Sequence, residues 1–174
     1  MSVLIKVLVG STLAREAITQ VMEIDERRRV FQQARDYADS LSKPMLVVGA
    51  PKFTFNHPCG DVTIDINPGV PTSCDYEVAD IRAIPYPSGH FAAAYASHVL
   101  EHLPTIDDAI LALNELERVA DKVFIVSPHK MSLAAWLHPS HHLWVTATGD
   151  GYLIEQRGNS DVREESYILA MGVI

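Results

Sequence analysis

Apolar residues along this chain keep two different periods, and the change between them falls at Pro44. Before it, Leu13, Ala17, Val21, Ile24, Phe31, Ala34, Ala38 and Leu41 recur mostly at steps of three and four. That spacing predicts one long amphipathic helix or two abutting ones. The charged run Asp25-Glu26-Arg27-Arg28-Arg29 interrupts the stripe and offers a start for a second helix; its three arginines point in different directions on a helix, which favours a solvated face over a phosphate site. Met1 to Leu13 is almost wholly apolar, too short to span a bilayer, and without a basic leader. Two readings of it stand open: a strand or helix packed on the domain or on a second copy of the chain, and an interfacial foot on a membrane.

After Pro44 the apolar residues come in short unbroken runs, each closed by a polar or turn residue. Met45–Val48 stops at Gly49, Val62–Ile66 carries Asp65, Glu77–Ile81 carries Asp80, Phe91–Ala96 stops at Ser97-His98, and Val123–Val126 stops at Ser127-Pro128-His129. Such runs predict buried parallel strands, and open α/β sheets bind ligands at the carboxyl ends of their strands. Thr105 to Ala120 has helical spacing, with Thr105 as cap and Asp107 and Asp108 in the first turn. The connectors 50–60 and 68–73 have no helical period, so the first crossovers are expected to be abbreviated. Met131–Leu137 reads as a short helix, and Tyr152–Gln156 and Tyr167–Met171 as strands pairing antiparallel at a sheet edge. The expected fold is α/β and three-layered: a Rossmann-like, mostly parallel sheet with an antiparallel edge pair at the C-terminus. An N-terminal helical segment, 1–43, precedes the α/β region, 44–174, in one compact domain.

Composition narrows the partners. A net charge of -8 disfavours a broad grip on nucleic acid. A small-molecule or protein partner stays open, as does a homodimer through the apolar N-terminus. Cys59 and Cys74 have neither metal-knuckle spacing nor the pattern of a disulfide framework, which suggests a reducing, cytoplasmic setting.

Taken together, Leu46-Val47-Val48-Gly49, the acid Asp65, Ala79-Asp80-Ile81-Arg82-Ala83-Ile84-Pro85-Tyr86-Pro87, and Ala96-Ser97-His98-Val99-Leu100-Glu101-His102-Leu103 resemble class I S-adenosylmethionine-dependent methyltransferases of the small, UbiE-like type. The resemblance is good over residues 44–130. It implies methyl transfer from S-adenosylmethionine to an unidentified acceptor. Asp65 would accept from the ribose hydroxyls, with Ile66 beside it in the cofactor-binding set. Asp80 would take the adenine amino group, Ile81 would lie against the ring, and Gly49 would let the backbone approach the methionyl part. Ser97 and His98 would face the sulfonium or the substrate. The chain departs from the pattern at Ala50-Pro51-Lys52, where a glycine-rich loop is usual; a cofactor without phosphate suffers less from that loss.

Two rival readings accompany this one. The departure at the loop favours a degenerate relative that binds a ligand or protein without methyl transfer. His98-x-x-Glu101-His102 also matches the H-x-x-E-H pattern of inverted zinc peptidases, but that chemistry needs one uninterrupted helix and Pro104 follows closely. No metal site is expected. A second group, His129, His138, His141 and His142, reads as loop polarity or as a substrate wall, with His129 the better placed to act as a base. Trp136 and Trp144 read as packing or as an acceptor pocket.

Overall fold

The computed structural model describes residues 3–51, 59–148, 151–158 and 162–165. One helix, α1 (Val3–Leu41), runs through the N-terminal segment from the first described residue. The Asp25 to Arg29 run does not break it: Glu and Arg are good helix formers, and all of the run but Arg27 faces water. Ser42, at φ 51°, turns the chain out of the helix, and Pro44 leads into β1 (Met45–Val48).

β1 is the hub of a five-stranded sheet, with β2 (Val62–Asp65), β3 (Glu77–Val78), β4 (Phe91–Ser97) and β5 (Ala120–Val126) in the order β3-β2-β1-β4-β5. All four pairings are parallel. The register sets Val48 opposite both Ile64 and Ala96, so Gly49, Asp65 and Ser97 emerge side by side at the carboxyl edge. Parallel strands bury both faces, and here each face has its own helix. Met45, Val47, Ala93 and Tyr95 meet Phe31, Ala34 and Ala38 of α1, where the two alanines allow close approach and Phe31 packs edge-on to Tyr95 at 5.3 Å. Leu46, Val48, Ala94 and Ala96 meet α2 (Ile106–Val119) through Ala109, Leu113 and Leu116. Thr105 caps α2 by accepting from Asp108 N at 3.1 Å, as its sequence suggests.

A second sheet is separate from the first: β6 (Leu143–Ala147), β7 (Tyr152–Gln156) and β8 (Val162–Glu165) run antiparallel in the order β6-β7-β8. The antiparallel C-terminal element is thus three strands rather than an edge pair, and β6 is an addition to the sequence reading. Tyr167–Met171 lies outside the described residues. Along the chain the short helix α3 (Leu133–Leu137) lies between β5 and β6.

The cysteine reading needs correction. Cys59 and Cys74 form a disulfide, with their Cα atoms 5.6 Å apart. The strand β2 and the loop after it carry Cys74 back beside Cys59, a return that sequence spacing does not display. The reducing setting inferred from that spacing therefore loses its support. Among the described residues, no helix is long and apolar enough to cross a membrane.

Candidate active site

At the carboxyl edge, Gly49 adopts φ +88°, and a Cβ there would meet Val99 Cγ2 at 3.0 Å. Glycine is required at this tip, and it leaves the backbone open to close approach. Next to it, Asp65 Oδ2 accepts from Ala50 N at 2.8 Å, while Oδ1 accepts from Asn67 N at 2.8 Å and from Asn67 Nδ2 at 3.3 Å. A carboxylate offers about four acceptor positions. Three are engaged, and the longest of these bonds, from a side chain, is the easiest to exchange for a hydroxyl.

The sequence-predicted cofactor residues divide. Gly49, Asp65 and Ser97 share the edge, and Ile66, 56% exposed, stands beside Asp65 as an apolar surface. Ile81 does not: at 6% exposure it belongs to the core facing α2, because the turn after β3 rolls it inward. Asp80 is held by Arg82, whose Nη2 donates to Oδ2 at 2.6 Å and whose Nε donates to Oδ1 at 3.0 Å. Those bonds keep the Asp80 carboxyl below its ordinary range. Arg82 also reaches Asp108 at 2.7 Å, so Asp80 ties its turn to α2.

His98 stands just past β4 in the left-handed region, at φ 56°. Its backbone N donates to Val126 O at 2.8 Å, which locks the tips of β4 and β5 together. Arg27 Nη2, from α1, lies 2.9 Å from His98 Nδ1 and 2.7 Å from Nε2. Glu101 Oε1 lies 3.5 Å from His98 Nδ1, and the Glu101 side chain is only 1% exposed. Burial pushes the Glu101 carboxyl up to about 8; the Arg27 charge works against that rise and the Glu23 charge adds to it. Glu23, also buried and raised by burial, accepts from His129 N at 2.9 Å. Burial lowers the Arg27 guanidinium. Two acids, an arginine and an imidazole thus meet beside the tips of β4 and β5. The sequence joins Glu101 to His98 only through the zinc-peptidase pattern and does not bring in Glu23 or Arg27: which arginine of three turns inward depends on how α1 is rotated on the sheet.

The histidine groups sort differently from their sequence order. His129 is exposed, and its Nδ1 accepts from Met131 N at 3.1 Å. His102 parts from His98 and joins His138 and His141, their ligand atoms all lying within 4.8 Å of one another. The inverted-peptidase reading fails on this geometry, since His102 ends a three-residue 3-10 turn, Leu100–His102, and not a continuous helix. Burial first, then the neighbouring His102, His138 and Arg157, lower the His141 imidazole to about 4. Trp136, Trp144, His138, His141, Glu155 and Arg157 line a cavity of about 590 Å³, whose wall Arg157 builds by covering both indoles.

The strand order, the glycine tip of β1 and the acid ending β2 define a Rossmann-like α/β fold. Residues 61–123 match the family model described as a methyltransferase domain, spanning β2, β3, β4, α2 and the start of β5. Methyl transfer is the general chemistry of that domain, and the match does not extend to the UbiE-like subtype. No curated protein matches the chain.

Proposed function

We propose that this protein transfers a methyl group from S-adenosylmethionine to a small-molecule or protein acceptor. The observation that carries the reading is the adjacency of Gly49, at φ +88°, and the Asp65 carboxylate at the tips of two paired parallel strands. Asp65 would take the ribose hydroxyls as Asn67 Nδ2 gives way, and Ile66 would cover one face of the adenine. Asp80, already engaged by Arg82, would position the turn beside the base. S-adenosylmethionine supplies a methyl group on a positively charged sulfur, open to in-line attack. The chain's task is alignment, to which a base adds only where the acceptor must lose a proton. His98 and Ser97 at the β4 tip would line the acceptor side. His129, exposed past β5, would serve as a base only for an acceptor approaching from that side.

A second reading has one observation in its favour. Arg27 and Glu23 bring α1 across the tips of β4 and β5, as in a domain that has kept the fold to bind a ligand or protein. Calorimetry with S-adenosylmethionine separates the two. Heat in the micromolar range that disappears in Asp65→Ala supports the enzyme; no heat at any accessible concentration supports the binding module.

A further inference from the structure

Three imidazoles from two distant segments converge at the edge of the small sheet. His102 closes the turn after β4, His138 caps the end of α3, and His141 follows in the same loop. Backbone bonds fix the segments against each other: His142 N donates to Glu101 O at 2.7 Å, and Arg157 N donates to His142 O at 2.8 Å. The Arg157 side chain clamps the loop further, donating to Trp136 O at 2.6 Å and His141 O at 2.9 Å. The rings of His138 and His141 stack at 4.3 Å, and His102 meets His141 edge-on at 4.7 Å.

Ser140 orients two of the rings. Its carbonyl oxygen lies 3.0 Å from His102 Nδ1, a contact that places the hydrogen on Nδ1 and turns Nε2 into the donor nitrogen. Its Oγ lies 2.9 Å from His102 Nδ1 and 3.0 Å from His138 Nδ1. Metal-bound histidines commonly have the other ring nitrogen tied to a carbonyl or similar partner.

We propose that His102, His138 and His141 bind one divalent transition-metal ion of the zinc class, leaving the remaining coordination position to water or to a ligand entering from the cavity that His138 and His141 line. Imidazole-only donors select zinc, cobalt, nickel or copper over magnesium or calcium, which prefer oxygen. In a tetrahedral site with zinc–nitrogen distances near 2.0 Å, ligand nitrogens lie about 3.3 Å apart. The present limit of 4.8 Å closes to that by rotating the exposed His102 and His138 side chains, which also opens the His138–His141 stack. The Arg157 guanidinium opposes a nearby cation, but its hydrogen bonds to carbonyl oxygens hold it on the backbone, and the net charge of -8 favours cations at longer range.

The test uses untagged protein dialysed against cobalt(II) and then freed of loosely held metal. About one cobalt per chain is expected, with the visible bands of a four-coordinate nitrogen site and displacement by zinc. His138→Ala and His141→Ala should each weaken uptake at least tenfold, while His90→Ala, remote from the cluster, leaves it unchanged. His138 is exposed, so its variant retains the fold, which circular dichroism verifies. No stoichiometric uptake, or uptake undiminished in the double variant His138→Ala/His141→Ala, overturns the proposal.

Discussion

Glu101 Oε1 lies 3.5 Å from His98 Nδ1, in a pocket that also draws in Glu23 and Arg27 from the opposite side of the sheet edge. A buried acid raised from 4.5 to about 8 ties stability to pH with a definite sign. Below 4.5 the proton is bound in both the folded and the unfolded chain, and Glu101 adds no pH dependence. Between there and about 8 the unfolded chain gives up the proton while the folded one keeps it, so stability falls as pH rises. At about 1.4 kcal/mol per unit, the loss over the whole window is on the order of 5 kcal/mol. Glu101→Gln should flatten this profile and raise stability at pH 8. Urea midpoints at pH 5 and pH 8, taken in EDTA, check it; an unchanged slope in the variant rules the effect out.

The Cys59–Cys74 bond closes a loop of sequence separation 15 around β2. Loop closure of that size is worth about 3 kcal/mol in the unfolded chain. Reduction, or the Cys59→Ser/Cys74→Ser pair, should therefore cost about that much. It should also loosen the tip that holds Asp65. Denaturation with and without reductant gives the first quantity and nucleoside binding the second. Equal midpoints would show that the bond contributes nothing.

How much of this was legible beforehand follows from what each residue can signal alone. β1 and β4 were readable because parallel strands buried on both faces are apolar runs, and the carboxyl-edge position of Asp65 and Ser97 followed from where the runs stop; β3, exposed at both residues, is only the start of its predicted run. β5 begins earlier than expected, at Ala120, because α2 passes into it without a loop. β6 escaped notice because only Leu143, Trp144 and Val145 of it are buried and it follows a histidine-rich loop. Glu101 looks like any charged residue of a turn; its burial depends on α1 crossing from elsewhere. The meeting of His102 with His138 and His141 likewise depends on the bond between Glu101 O and His142 N, which no local pattern announces.

Two glycines should respond differently to alanine. At Gly60 a Cβ would lie 2.4 Å from Val62 O and 2.9 Å from Met45 O, both backbone atoms of the central strands. At Gly49 it would meet only the Val99 side chain, but at φ +88°. Gly60→Ala should cost more than about 2 kcal/mol, since β1 and β2 must separate to admit it. Gly49→Ala should cost about 1 to 2 kcal/mol of backbone strain. Adding Val99→Ala to Gly49→Ala would recover little, as it relieves the contact and not the dihedral. Chemical denaturation of the three variants orders these costs; a milder effect at Gly60 than at Gly49 contradicts the packing argument.

Arg27 should matter through the acids it faces. Its charge draws the Glu101 carboxyl down against burial and also acts on Glu23, while Nη2 lies on the His98 ring. With Arg27→Gln the positive charge is lost and the two buried acids keep their protons to higher pH, so the destabilisation by Arg27→Gln should be small near pH 5 and open up as pH reaches about 8, where Glu101 begins to ionise beside Arg27. The cost should therefore shrink when the partner is removed too: Arg27→Gln/Glu101→Gln should be more stable at pH 8 than the sum of the single effects predicts. A double-mutant cycle at pH 5 and pH 8 measures this coupling. Strict additivity at pH 8 would mean that Arg27 serves α1 packing alone and that its field does not reach Glu101.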